Sequence, residues 1–212
     1  MKSTAEVIER IGELKLIPVV ALDSADDAVR LAEALLDGGL PCAEITLRTD
    51  AGLETLRRLS SLEGFLLGAG TVHSARQAQQ VADAGGEFVV TPGFNPQTVE
   101  WCLDHQLPII PGIATPSDLE QALEYGIEVV KFFPAEALGG IKMLQALSGP
   151  YHHMRFVPTG GIHRENLCAY LALPQVLACG GSWMVKTELI SDGRFDEITR
   201  LTREALETIE TH

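Results

Sequence analysis

The sequence predicts an α/β protein built as a single (β/α)8 (TIM) barrel, with residues 1–212 forming one domain. Three observations carry that expectation. Eight short, apolar, β-branched runs alternate with longer segments of helical periodicity. The runs start every 20 to 27 residues, a regular βα spacing without a visible sequence repeat. Each run is apolar almost throughout, as in a parallel sheet covered on both faces, and eight βα units are the number that closes a barrel. An open doubly wound sheet is the alternative, but no G-x-G-x-x-G follows the first run. With 212 residues the chain lies near the low end of the roughly 200 to 400 of this fold, which leaves no room for a second domain.

A short helix over about residues 3–14 opens the chain. The strands are then expected at 17–23 (IPVVALD), 42–48 (CAEITLR), 65–71 (FLLGAGT), 87–93 (EFVVTPG), 108–113 (PIIPGI), 128–135 (EVVKFFPA), 155–161 (RFVPTGG) and 175–183 (QVLACGGSW). Between them, Ser24, Ser74, Asn95 and Ser117 stand where a helix N-cap belongs, and Gly38, Gly85 and Gly126 follow the apolar stripes as stops. Barrels of this kind place their chemistry at the C-terminal ends of the strands, so the residues there are the candidates.

Composition narrows the function classes. A net charge of −13 argues against nucleic acid as a partner, because a phosphodiester backbone is held by clustered cations. No apolar run approaches the roughly 18 residues that span a bilayer, and the N-terminal segment carries acids among its apolar positions. No membrane partner is expected. Cys42, Cys102, Cys168 and Cys179 are widely spaced without a CxxC pair, which suits reduced thiols and a cytoplasmic location.

Two basic residues depart from the solvated faces on which the others lie. Lys131 stands between Val130 and Phe132 inside an apolar strand, where an unpaired ammonium is costly. Either it snorkels at the strand end, or its burial favours the neutral amine that attacks a carbonyl to form a Schiff base. In the second strand Glu44, Thr46 and Arg48 share one face, opposite Ile45 and Leu47, and are expected to point into the barrel. Glu44 and Arg48 form either a buried ion pair without a catalytic role, or a proton-transfer group and a clamp for a substrate carboxylate. Thr71 offers a hydroxyl at the end of the third strand or caps the following helix.

Strands seven and eight end in Pro158-Thr159-Gly160-Gly161 and Cys179-Gly180-Gly181-Ser182. Paired glycines let an anion approach backbone N–H groups, and these two loops are the usual phosphate site of the barrel. The histidines, His73, His105, His152, His153, His163 and His212, show no metal-ligand spacing, so no metal and no cofactor is expected. A G-x-S-x-G elbow is also missing. Phe133, two residues beyond Lys131, either walls the site or packs in the core.

The segments Glu44-Ile45-Thr46-Leu47-Arg48-Thr49, Gly68-Ala69-Gly70-Thr71-Val72, Lys131-Phe132-Phe133-Pro134-Ala135-Glu136, Pro158-Thr159-Gly160-Gly161-Ile162 and Gly180-Gly181-Ser182-Trp183 resemble those of the 2-keto-3-deoxy-6-phosphogluconate (KDPG) and 4-hydroxy-2-oxoglutarate (KHG) aldolases. The resemblance runs from the second strand to the eighth. It implies a class I, metal-independent aldolase, a lyase of the Entner–Doudoroff pathway, commonly a homotrimer, whose partner is a small keto-acid sugar phosphate. It assigns the Schiff base to Lys131, acid/base work to Glu44, the pyruvate carboxylate to Arg48 and Thr71, and the phosphate to Gly160, Gly161 and Ser182. Pro92, Phe133 and Thr159 fall on the pocket wall. Thr91-Pro92-Gly93 stands where the family more often has Ser-Pro-Gly, which keeps the hydroxyl. Two other readings compete: an aldolase for the galactonate-derived epimer, and a sugar-phosphate-binding barrel without catalysis, for which Lys131 would be needless.

Overall fold

The computed structural model describes residues 2–211; Met1 and His212 lie outside the described residues. Helix α1 (Thr4–Leu14) is set by a capping box, in which the Ser3 hydroxyl accepts from the Glu6 N–H and the Glu6 carboxylate accepts from the Ser3 N–H. Strands and helices then alternate: β1 (Leu16–Val20), α2 (Ala28–Asp37), β2 (Cys42–Thr46), α3 (Ala51–Leu59), β3 (Leu66–Gly70), α4 (Ala75–Asp83), β4 (Phe88–Val90) and α5 (Pro96–Asp104). The order continues through β5 (Ile109–Ile110), β6 (Gly112–Ile113), α6 (Pro116–Glu124), β7 (Val129–Phe132), α7 (Gly140–Ser148), β8 (Arg155–Pro158), α8 (Arg164–Leu171), β9 (Cys179–Gly181), α9 (Thr187–Ser191) and α10 (Phe195–Glu210).

The strands are parallel and form two sheets, one of six in the order β5-β4-β3-β2-β1-β9 and one of three in the order β6-β7-β8. The α/β character and the parallel strands are as expected, whereas the ladder runs in two sheets where eight strands in one were expected. The fifth expected strand is divided at Pro111, which has no N–H for a ladder: β5 pairs with β4, β6 with β7, and the Pro111 carbonyl accepts from Lys131 N–H at 2.9 Å. Between β8 and β9 only two isolated parallel bridges form, Phe156 with Val176 and Thr159 with Gly180. Pro158, lying between them, cannot donate, and the β9 side carries one extra residue.

Several expected boundaries also shift. β2 ends at Thr46, with Leu47 and Arg48 in a turn, because the apolar-polar alternation continues past the last ladder bond. The cap of α6 is Thr115, whose hydroxyl accepts from Asp118 N–H while the Asp118 carboxylate accepts from Thr115 N–H; Ser117 sits within the first turn. Ser24 caps a single 3-10 turn (Ala25–Asp27), and α2 begins after it. Ser74 and Asn95 cap α4 and α5.

The core has two layers. An outer layer between strands and helices holds Val20, Ile45, Ala69, Val89, Val130 and Phe132. An inner layer, from the early positions of the strands, holds Ile17, Cys42, Leu66, Phe88, Val129 and Val157, and Val7 and Ile11 of α1 pack onto it. Strand residues two positions further on share the inner face but lie one layer nearer the C-terminal ends. Glu44 follows Cys42 and Lys131 follows Val129 in this way. At the other side of the chain α10 packs on α2, where Thr199 Oγ1 donates to the Ala34 carbonyl at 2.9 Å.

Candidate active site

Lys131 and Glu44 meet in the interior, as the shared inner face requires. Both are buried, at 4% and 2% exposure, and Lys131 Nζ donates to Glu44 Oε1 at 3.4 Å. That distance is slightly longer than the roughly 2.6–3.2 Å of a working proton-transfer contact. β7 is hydrogen-bonded on both sides, to β6 and β8, so the lysine is aimed by a strand with no free edge. The Phe133 ring lies 5.2 Å from Nζ, near enough for a cation–π contact and for excluding water, and Phe133 is half-buried. Opposite, Gly70 leaves the space for the glutamate: a Cβ there would stand 1.9 Å from Glu44 Oε1. The Thr46 hydroxyl is spent on the Val20 carbonyl at 2.8 Å and fastens β2 to β1.

Arg48 is exposed in the turn after β2, and its Nε donates to Thr71 Oγ1 at 3.3 Å. The expected inward face therefore holds for Glu44 and Thr46, while Arg48, past the end of the strand, reaches the mouth. Glu44 pairs with Lys131 and Arg48 with Thr71, so the Glu44–Arg48 ion pair does not form. Thr71 does not cap α4, since Ser74 takes the Gln77 N–H. Its φ of 60° places a β-branched residue in the left-handed region, a conformation that costs about 1–3 kcal/mol and persists where surroundings impose it. The structure thus points a hydroxyl at the guanidinium at the expense of local backbone energy.

The loops after β7 and β8 are laced together. Ala135 N–H donates to the Thr159 carbonyl at 2.8 Å and Glu136 N–H to the Gly160 carbonyl at 3.0 Å. Thr159 is buried, whereas Gly160 and Gly161 carry φ of 97° and 82°, which only glycine adopts without strain. Ser182 is exposed immediately after β9, whose Gly180 bridges Thr159. Pro92 is half-buried in the loop after β4. The Thr91 hydroxyl donates to the Gly93 carbonyl at 2.7 Å and accepts from Gly112 N–H at 3.2 Å, which ties that loop to the strand paired with Lys131.

Of the expected site residues, Glu44 and Lys131 stand within β2 and β7, and the others lie just past strand ends; all but Pro92 fall into three contact groups. Lys131, Glu44 and Phe133 form one; Arg48 and Thr71 form the second, joined to the first through Gly70. Thr159, Gly160 and Gly161 form the third, against the β7 loop and, through Gly180, beside Ser182. Sequence reasoning missed Glu136 as more than a motif letter, and missed Tyr170, whose hydroxyl donates to Glu136 Oε1. A tyrosine within a helical apolar stripe carries no local sign of such a partner. Among the described residues no group of three or more His, Cys, Asp or Glu side chains could hold a metal ion. Burial pushes the thiols of Cys42 and Cys179 up and that of Cys102 up to about 12, which leaves no thiolate nucleophile among these three at neutral pH.

Residues 7–201 match the family model described as KDPG and KHG aldolase. The chain is 52% identical over 204 residues to the 2-dehydro-3-deoxy-phosphogluconate aldolase of Treponema pallidum, covering 96% of this chain and 97% of that protein. It is 41% identical over 207 residues to the KHG/KDPG aldolase of Escherichia coli K12, covering 97% and 96% of the two chains. Among solved structures, the KDPG aldolase of Legionella pneumophila, with pyruvate captured as a covalent carbinolamine intermediate, superposes with a TM-score of 0.91. It is 38% identical, covering 96% of this chain and 98% of that one.

Proposed function

Since this chain belongs to the KDPG and KHG aldolase family, we propose that it is a class I lyase cleaving KDPG to pyruvate and glyceraldehyde 3-phosphate. The same chemistry converts 4-hydroxy-2-oxoglutarate to pyruvate and glyoxylate. The observation that carries the mechanism is the buried amine of Lys131 beside the buried carboxylate of Glu44, 3.4 Å apart.

Lys131 passes a proton to Glu44 and adds as the neutral amine to the C2 ketone, giving a carbinolamine. Glu44 returns that proton to the departing hydroxyl, which leaves as water, and an iminium remains. The iminium accepts the electron pair of the C3–C4 bond while Glu44 takes the proton of the C4 hydroxyl, so the aldehyde departs and an enamine is left. Glu44 then protonates C3, and water hydrolyses the iminium to free pyruvate and Lys131. Arg48 and Thr71 hold the keto-acid carboxylate, which turns the ketone toward the amine. Gly160, Gly161 and Ser182 receive the phosphate, and Pro92, Phe133 and Thr159 wall the pocket.

The same reading takes residues 1–212 as one closed (β/α)8 domain. The segment 109–113, which contributes one strand to each sheet, and the two bridges between β8 and β9 support closure. A cytoplasmic homotrimer is proposed on the family likeness and, for the compartment, on four free cysteines. No helix among the described residues is long and apolar enough to cross a membrane.

Borohydride reduction in the presence of pyruvate, followed by peptide mass mapping, tests the mechanism. A reduced pyruvate adduct at Lys131 with loss of activity is expected. Adduct elsewhere, with Lys131 unmodified, would overturn it.

A further inference from the structure

One polar contact beside the site is left unused by this chemistry. Tyr170 of α8 is fully buried, and its hydroxyl donates to the carboxylate of Glu136, an exposed residue of the β7 loop five positions after Lys131. Burial, and then the neighbouring Glu136 carboxylate, push the Tyr170 phenol up, so it stays a donor across the physiological range. A buried hydroxyl without this acceptor would be an unsatisfied polar group.

Two glycines are shaped around the pair. A Cβ at Gly140, where φ is 58°, would lie 2.9 Å from both Glu136 Oε1 and the Tyr170 hydroxyl oxygen. A Cβ at Gly161, where φ is 82°, would lie 2.5 Å from Glu136 Cγ and 2.6 Å from Glu136 Cβ. The glutamate stem therefore lies directly against the Gly161 backbone, its own N–H holds the Gly160 carbonyl at 3.0 Å, and its charged end is fixed on α8. Left free, that carboxylate would stand beside a loop proposed to receive a dianion, and like charges would repel.

We propose that Glu136, anchored by Tyr170, is a positioning residue that sets the Gly160–Gly161 backbone for the substrate phosphate and thereby the preference for phosphorylated over unphosphorylated keto acids. The proposal rests on the reading of Gly160 and Gly161 as the phosphate cradle. It assigns Glu136 no part in Schiff-base chemistry.

Steady-state kinetics on KDPG and on 4-hydroxy-2-oxoglutarate, with pyruvate trapping at Lys131, test it in Tyr170→Phe, Glu136→Ala, Glu136→Gln and Ser182→Ala variants. Tyr170→Phe and Glu136→Ala should each raise KM for KDPG about tenfold. Their kcat, their KM for 4-hydroxy-2-oxoglutarate and their pyruvate trapping should stay within about twofold. Glu136→Gln, which can still accept from Tyr170, should keep KM for KDPG within about threefold. Equal losses on both substrates, or an unchanged KM for KDPG, would overturn the proposal. If Tyr170→Phe fails to fold, Glu136→Ala on its exposed loop decides. A Ser182→Ala variant with raised KM for KDPG, alongside unaffected Tyr170→Phe and Glu136→Ala variants, would reject the positioning role alone. Unaffected KM in all of them would reject the phosphate cradle as well.

Discussion

A carboxylate and an amine taken out of water together are held by each other, and removing one leaves the other unpaired. Breaking a buried pair of this kind commonly destabilises a protein by about 3–5 kcal/mol. Glu44→Gln keeps the shape and a hydrogen bond to Lys131 but removes the carboxylate to which the proposed mechanism gives the proton transfer. It is expected to lower kcat by about 10²-fold or more, while borohydride trapping of pyruvate at Lys131 continues more slowly. A kcat near that of the parent would leave Glu44 as a structural partner of Lys131 only. The lysine was legible because an ammonium inside Val129-Val130-Lys131-Phe132 is conspicuous, and Glu44 because two-residue alternation fixes its face. Arg48 was legible as a candidate but not in its placement, since one turn beyond a strand end the alternation no longer sets direction.

At the scale of elements, the end of β3 shows how the site shapes its supports. Gly70 is bare so that Glu44 fits, and Thr71 is held at a φ of 60° so that its hydroxyl meets Arg48. Releasing that conformation is worth about 1–3 kcal/mol, more than the roughly 0.4–1 kcal/mol lost to the flexibility of an unfolded glycine. Thr71→Gly should therefore raise stability by about 1 kcal/mol in urea denaturation and lower kcat/KM about tenfold or more. A lower unfolding midpoint would show that Thr71 is not strained. The sequence offered Thr71 as cap or as ligand with nothing local to separate them. Ser74, three residues later, took the cap because its own φ and ψ of −149° and 157° suit that role.

Across the whole molecule, the packing of α1 and the Lys131–Glu44 pair occupy successive layers of the interior. Val7 and Ile11 of α1 are fully buried against the inner layer formed by Ile17, Cys42, Leu66 and Phe88, whereas Lys131 and Glu44 lie one layer further along. Ile11→Ala removes side-chain volume from this packed interior and should lower unfolding free energy by about 2–4 kcal/mol. The kcat of the folded variant should stay within about twofold of the parent, measured well below its unfolding temperature. A large fall in kcat with intact folding would mean that packing at the α1 end reaches the site.

The features legible along the chain are those that a few neighbouring residues decide. The strands' alternation placed Cys42 with Glu44 and Val129 with Lys131 on shared faces, and Ser74 and Asn95 began helices where their side chains could take an N–H two or three residues on. Packing of the whole chain brought Lys131 to Glu44 across 87 residues, turned Arg48 to Thr71, and carried Tyr170 to Glu136 beside Gly161. It also decided that the fifth strand divides at Pro111 between two sheets. Backbone preference and periodicity act over a turn or a few strand residues, and so can be read along the chain. Which side chains face one another across the interior depends on the register and tilt of all the strands at once, and no short stretch of sequence carries that sum.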